Sequence, residues 1–223
     1  IIDLGKVYEG SIELKSPQEI EDFAANNYNT INGSLTIKDF INQEYIVNLD
    51  ALNDINRIEG NLSIINNTHL TDISGLSNLN TVNSMDIINN DQLTSLSNLS
   101  NLNQVNGYLR VVDNDALINL QGLHNIEIMG GLNLDNNDAL TSLYGLDHLI
   151  KIHDGFLINR NDLLISLNGL NNLKLTDYIF IHNNDNLSNF CSLQSLENTP
   201  NYTASSNEYN PSYQDILDGF CNL

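Results

Sequence analysis

The sequence predicts a mainly β chain wound as a parallel solenoid, and three observations carry that reading. Residues 58–198 repeat every 23 or 24 positions. Each repeat opens on an alternating Leu-x-Ile pair, the pattern of a short strand with two side chains inward. The apolar residues that follow recur at every third position, which suits turns, extended segments and 3₁₀ segments and not an α-helix of period 3.6.

The first full copy runs Leu62, Ile64, Asn67, Leu70, Ile73, Leu76, Leu79 and Val82. Later copies open at Met85/Ile87, Leu109/Val111, Leu132/Leu134, Phe156/Ile158 and Ile179/Ile181. The last apolar position is read as Ile128 in the third copy and as Leu175 in the fifth. An imperfect first coil begins at Leu35-Thr36-Ile37, and the 27-residue step from Leu35 to Leu62 implies an insertion near Gln43–Val47. One repeat cannot close a core alone. Stacked at ~4.8 Å with parallel strand pairing, about seven coils share one apolar interior in a rod roughly 30–35 Å long.

The two ends differ from the repeats. Ser16-Pro17-Gln18-Glu19 reads as a helix start, with Ser16 as N-cap, Pro17 at the first helical position and Glu19 closing a capping box. Ile20, Phe23 and Ala24 form the apolar stripe expected to cover the first coil. Near the C-terminus Ser212 reads as an N-cap and Gly219 as a stop, with Ile216 and Leu217 covering the last coil. The predicted organisation is one structural domain: an N-terminal cap over 1–30, repeats over 31–198 and a C-terminal cap over 199–223.

Composition narrows the function. The 223 residues carry 8 Lys+Arg against 28 Asp+Glu, a net charge of −20, which repels nucleic acid and anionic lipid. No apolar run reaches the ~18 residues of a membrane span. No leader-like segment precedes the repeats, so any export signal is expected to have been removed or left out. The two cysteines, Cys191 and Cys221, both fall in the C-terminal cap region. An even count in an acidic, Lys-poor chain predicts a disulfide and an oxidising compartment, with two unrelated buried thiols as the alternative.

The repeat Gly-x-Leu-x-Ile-x-Asn-Asn-Asp-x-Leu-x-x-Leu-x-Gly-Leu-x-x-Leu resembles the receptor L-domain family, and the secreted bacterial leucine-rich members most closely. The opening segment Gly10–Phe23 and the closing segment Tyr209–Cys221 share that resemblance, which covers nearly the whole chain. It implies a right-handed, parallel β-helix-like leucine-rich solenoid, export, and a surface or extracellular setting. It implies no catalytic residues and no particular ligand.

Stacking turns each repeat position into a column. Asn67, Asn90, Asn114, Asn137, Asn161 and Asn184 form an uninterrupted Asn column, read as a structural ladder. Their amides can link neighbouring coils and satisfy buried backbone groups, and each Asn→Ala change is expected to cost ~1–3 kcal/mol. The next column is Thr68, Asp91, Asp115, Asp138, Asp162 and Asp185. Like charges at that spacing repel by about 0.9 kcal/mol per neighbouring pair even in water. Each Asp can cap its own turn, or Asp91, Asp115, Asp138, Asp162 and Asp185 can hold Ca²⁺ in pairs, so Ca²⁺ is the one cofactor candidate.

Outward strand positions run Thr36, Ser63, Asp86, Arg110, Asn133, Leu157 and Phe180. The neighbouring outward column begins Ile65, Ile88 and Val112, then turns to Asp135, Asn159 and His182. Exposed apolar residues therefore fall in two groups, Ile65/Ile88/Val112 and Leu157/Phe180, which form the candidate ligand face. Ordinary β-branched strand filling is the alternative. The mixed rank argues against ice binding.

Catalytic constellations are poor. His69, His124, His148, His153 and His182 are scattered, although His124 and His148 could meet on neighbouring coils. No Gly-x-Ser-x-Gly, Walker loop or His-Glu-x-x-His occurs. An Asp recurring once per coil marks a column, whereas paired acids for glycoside cleavage form one asymmetric site. The expectation is a noncatalytic extracellular or cell-surface recognition or adhesion module for a protein or glycan ligand. It takes no nucleic acid, inserts in no membrane, and is a monomer or weak dimer. A cell-envelope spacer without a specific ligand competes with this reading, and a carbohydrate-active enzyme follows as a third.

Overall fold

The computed structural model describes residues 5–40 and 44–223 and is mainly β, with 12% of the chain helical. All strands among the described residues fall in two parallel sheets. The broad sheet has nine strands: Ile12–Leu14, Leu35–Ile37, Leu62–Ile65, Met85–Ile88, Tyr108–Val112, Ile128–Asp135, Lys151–Asn159, Tyr178–His182 and Asn201–Ser205. Each pairs with the strand one repeat away. The narrow sheet has five: Lys6–Glu9, Tyr28–Asn32, Arg57–Ile58, Thr81–Val82 and Gln104–Val105.

Register confirms the Leu-x-Ile pattern. Leu62 lies beside Met85, which lies beside Leu109, then Leu132, Phe156 and Ile179. Ile64, Ile87, Val111, Leu134, Ile158 and Ile181 form the second inward row, all fully buried. The every-third spacing also has a backbone cause. Leu70 donates its N–H to Asn67, Leu76 to Ile73, and Leu79 to Leu76, so successive apolar residues close three-residue turns. Short 3₁₀ segments appear at Asp50–Leu52, Ser74–Leu76, Ser97–Leu99 and Cys191–Ser195. At Gly145, φ is +113°, and a Cβ there would strike the Leu120 carbonyl of the preceding repeat.

Several expectations are corrected. Ile128 is 50% exposed and Leu175 38% exposed; Met129 and Thr176 take the inward positions instead. The period of three from Ile126 and Leu173 leads to those residues, and the apolar neighbours were decoys. Leu217 is 46% exposed while Ile216 is buried, because adjacent helical residues point ~100° apart and only one can face inward. The extra residues of the early repeat fall between Ile37 and Ile46, a nine-residue step where Ile64 to Leu70 takes six. Of the predicted insertion, Gln43 lies outside the described residues, while Ile46 is already in the core.

The helices start as their sequences dictate. In Pro17–Ala24, Ser16 Oγ accepts the Glu19 N–H, but the Glu19 carboxylate turns back to the Lys15 N–H at 2.7 Å, one residue earlier than a closed capping box requires. Ile20 and Phe23 are buried, and the Phe23 ring packs on Tyr8 and Tyr28, while Ala24 is half-buried. In Tyr213–Leu217 the box is complete: Ser212 Oγ accepts the Asp215 N–H, and Asp215 accepts the Ser212 N–H. Gly219 follows at φ +94°. The Cys191–Cys221 disulfide is formed.

The Asn column is a continuous ladder of fully buried amides. In every rung Nδ2 donates to a strand carbonyl of the preceding repeat, and from Asn90 onward Oδ1 accepts the backbone N–H of the preceding ladder Asn. For Asn90 the partners are Asn67 N–H at 3.3 Å and Ile64 O at 2.9 Å. The ladder extends beyond Asn184 to Asn207, and Asn207 is in turn held by Asn210. The residue before each rung is left-handed: Asn66, Asn89, Asp113, Asn136, Arg160, Asn183 and Ser206 all have φ between 52° and 58°. Asn tolerates that conformation better than Arg. Arg160→Asn is therefore expected to raise the melting temperature by about 1–4 °C, from ~0.5–1 kcal/mol of relieved strain. A lower melting temperature would mean that the Arg160–Asp135 contact at 3.6 Å outweighs the backbone term.

Candidate functional site

The outward face of the broad sheet carries three rows of side chains set by the two-residue strand alternation. The middle row is the predicted one: Thr36, Ser63, Asp86, Arg110, Asn133, Leu157 and Phe180 stand in register, followed by Thr203. One flanking row holds Ile65, Ile88 and Val112, each half-buried, and then Asp135, Asn159 and His182. The other flanking row was not anticipated. It places Tyr108, Gly131, Gly155 and Tyr178 side by side.

Tyr108, Gly155 and Tyr178 line a hollow of about 530 Å³. Two consecutive glycines remove side chains between two tyrosines. A Cβ on Gly131 would collide with the Tyr108 ring, and one on Gly155 with the Tyr178 backbone. Tyr178 and Phe180, two apart on one strand, stack with their ring planes nearly parallel, centroids 6.2 Å apart and planes 6° apart. The two candidate apolar groups thus share one face, but only Leu157 and Phe180 line the hollow; Ile65, Ile88 and Val112 do not.

Polar groups in the hollow are fixed before any ligand arrives. Arg110 grips Asp86 with two hydrogen bonds, Nε to Oδ1 at 2.6 Å and Nη2 to Oδ2 at 2.7 Å. That bidentate contact raises the pKa of Arg110 further above its ordinary value. The Tyr108 hydroxyl donates to Asp154 Oδ2 at 2.8 Å, which pushes the phenol pKa up. Ser84 Oγ accepts the Tyr108 N–H at 3.1 Å. Asn133 Oδ1 is buried and has no hydrogen-bond partner. The aromatic and apolar lining can take an apolar ligand surface; both carboxylates are already engaged.

The other predicted residues lie elsewhere. Asp115, Asp138, Asp162 and Asp185 are exposed, and Asp91 is half-buried. Partial burial, then Asp138, Asp91 and Asp113, raise the Asp115 pKa, the sign expected of stacked like charges. Among the described residues no group of three or more His, Cys, Asp or Glu side chains is placed to share a metal ion. His148 and His124 do meet, through His148 Nδ1 and the His124 carbonyl at 2.7 Å. No described helix is long and apolar enough to cross a membrane.

Tyr108, Tyr178, Gly131 and Gly155 were readable only as one row. The signal was the switch at that position from Ser34, Asn61 and Ser84 to Tyr, Gly, Gly and Tyr. Fold and site together define a parallel-β repeat chain with an aromatic-lined hollow on one sheet face. No protein-family model matches the chain, and no curated protein or solved structure is significantly similar to it.

Proposed function

We propose that the chain is a right-handed, leucine-rich parallel solenoid of about seven coils, closed by helical caps and akin to receptor L domains. Its role is that of a noncatalytic recognition or adhesion module for a protein or glycan in an extracellular or cell-surface setting. The single observation that carries this reading is the hollow on the broad sheet. It combines aromatic and apolar side chains with polar groups already fixed in place, which is the make-up of a binding site. The Asp86–Arg110 pair, held by two hydrogen bonds, supports an ordered binding surface. The disulfide fits an oxidising compartment. The net charge of −20 favours a second reading, a highly soluble envelope spacer.

A screen of the purified chain against extracellular proteins and glycans, run with Ca²⁺ and again with chelator, separates these readings. Recognition expects a specific, saturable hit. If that hit disappears in chelator, the Asp column is a metal site; if it persists, the Asp residues are turn caps. No hit in either condition would leave the spacer.

A further inference from the structure

We propose that two copies of this chain join as a symmetric dimer through the free edge of the last broad-sheet strand, Asn201–Ser205. The proposal goes beyond the recognition reading and does not depend on what the hollow binds.

Hydrogen bonds define that edge. Asn201 donates its N–H to Asp177 O at 2.8 Å, and Ser205 O accepts the Asn183 N–H at 3.1 Å. In a parallel pair alternate residues bond to the same neighbour, so Asn201, Thr203 and Ser205 face the strand Tyr178–His182. The N–H and C=O groups of Tyr202 and Ala204 point the other way, and among the described residues no hydrogen bond reaches them. Sheet edges are commonly guarded by charge, Pro or a bulge. The opposite edge of the broad sheet, Ile12–Leu14, carries Glu13, paired with Lys15 at 2.9 Å. Asn201–Ser205 has no charge and no Pro, and it pairs without a register shift.

Self-complementarity selects a second copy as the occupant. A two-fold axis at Thr203 sets Tyr202 of each copy against Ala204 of the other in antiparallel pairing. Each such pair exchanges both its bonds, so about four hydrogen bonds satisfy every free group of the two edges. Tyr202 and Ala204 stay on the inward face of both sheets, and Thr203 faces its own copy on the outward face. An axis at Tyr202 would oppose Ala204 to Pro200, which has no N–H, and one at Ala204 would oppose Tyr202 to the left-handed Ser206 at φ 57°. Head-to-tail stacking on Ile12–Leu14 offers only the Glu13 groups, about two bonds, because Ile12 N–H and Leu14 O are already bonded to Ser34 O and Lys38 N–H.

Charge sets the salt dependence. Residues 199–223 hold Glu208, Asp215 and Asp218 and no Lys or Arg, so like charges oppose the contact. Added salt screens that repulsion and strengthens the dimer.

The test is sedimentation equilibrium of the full chain up to about 1 mM, in about 0.05 M and about 0.5 M NaCl. A monomer–dimer equilibrium is expected, tighter at the higher salt. Ala204→Pro removes a free-edge donor at a position where an edge strand accepts Pro, and it should weaken the dimer by about tenfold or more with melting showing the fold intact. Thr203→Cys tests the register even if Ala204→Pro unfolds. The axis places the two 203 Cα atoms about 4.5 Å apart, within disulfide reach, and the two 205 Cα atoms roughly 14 Å apart, beyond it. Under mild oxidation Thr203→Cys should therefore yield a covalent dimer and Ser205→Cys should not. A monomer at every concentration in both salts, growth beyond the dimer, or a dimer that Ser205→Cys locks as readily as Thr203→Cys would overturn the proposal. So would a dimer that withstands a folded Ala204→Pro.

Discussion

Asn114→Ala is expected to cost about 3 kcal/mol of folding stability, more than any other single ladder contact tested at an end of the column. Asn114 Oδ1 accepts the Asn90 N–H at 3.2 Å, and its Nδ2 donates to Ile87 O at 2.8 Å and to Val112 O at 2.9 Å. Truncation leaves the Asn90 N–H and the Ile87 carbonyl buried without those partners. Each such orphan costs roughly 1–3 kcal/mol, so two cost about 2–6 kcal/mol, and partial relaxation brings the loss down to about 3 kcal/mol. Asn67 supplies the internal control. Its Nδ2 reaches Ile37 O at 3.1 Å, but its own Oδ1 has no donor. Asn67→Ala therefore orphans one preceding-repeat group where Asn114→Ala orphans two, and about half the loss is expected. Urea unfolding of both variants measures the difference. Equal midpoints for the two, or no loss in either, would dismiss the ladder as a source of stability.

Removing the Cys191–Cys221 bond is expected to cost ~3–4 kcal/mol, from releasing a loop of about 30 residues in the unfolded chain. The loop encloses the last broad-sheet strand, the final Asn rung at Asn207 and the helix Tyr213–Leu217. Contacts around the bond are mostly single hydrogen bonds: Phe190 N–H to Cys221 O at 2.7 Å, Gln194 Nε2 to Ile216 O at 2.9 Å and Tyr209 Oη to Phe220 O at 3.0 Å. In the double variant Cys191→Ser/Cys221→Ser, amide exchange is expected to quicken across 201–223. Protection across 58–160, whose core does not touch the bond, should hold. Uniform loss of protection along the whole chain would mean that the repeats depend on this closure, and an unchanged melting temperature would deny the bond a stabilising role.

The sequence made the repeat core legible because a stacked chain writes its packing as a period. Leu62, Met85, Leu109 and Leu132 recur at one spacing because they touch in space. The Asn ladder was legible for the same reason. The misread positions are those where a second apolar residue stood beside the right one: Ile128 next to Met129, and Leu175 one place before Thr176. Thr176 shows how a hydrophobic criterion fails, since a buried threonine holds a column otherwise filled by Ile58, Val82, Val105, Met129 and Ile152.

The candidate site was legible only in part. Leu157 and Phe180 stood out as apolar residues at outward positions. Their partners did not, because Tyr108, Gly131, Gly155 and Tyr178 come from four repeats and share no local motif. Nor does the sequence reveal that Arg110 is committed to Asp86, or that Asn133 Oδ1 lacks a donor. Those facts arise from register and side-chain direction across the sheet.

The most direct measurement compares two double variants against whichever ligand the screen returns. Tyr178→Ala/Phe180→Ala strips the hollow, whereas Ile118→Ser/Ile165→Ser removes residues that are 50% and 59% exposed outside it. With both variants folded, affinity should fall by at least about tenfold in the first and stay at the wild-type value in the second. A loss confined to the second variant, or binding untouched in the first, would place the working surface away from the broad sheet.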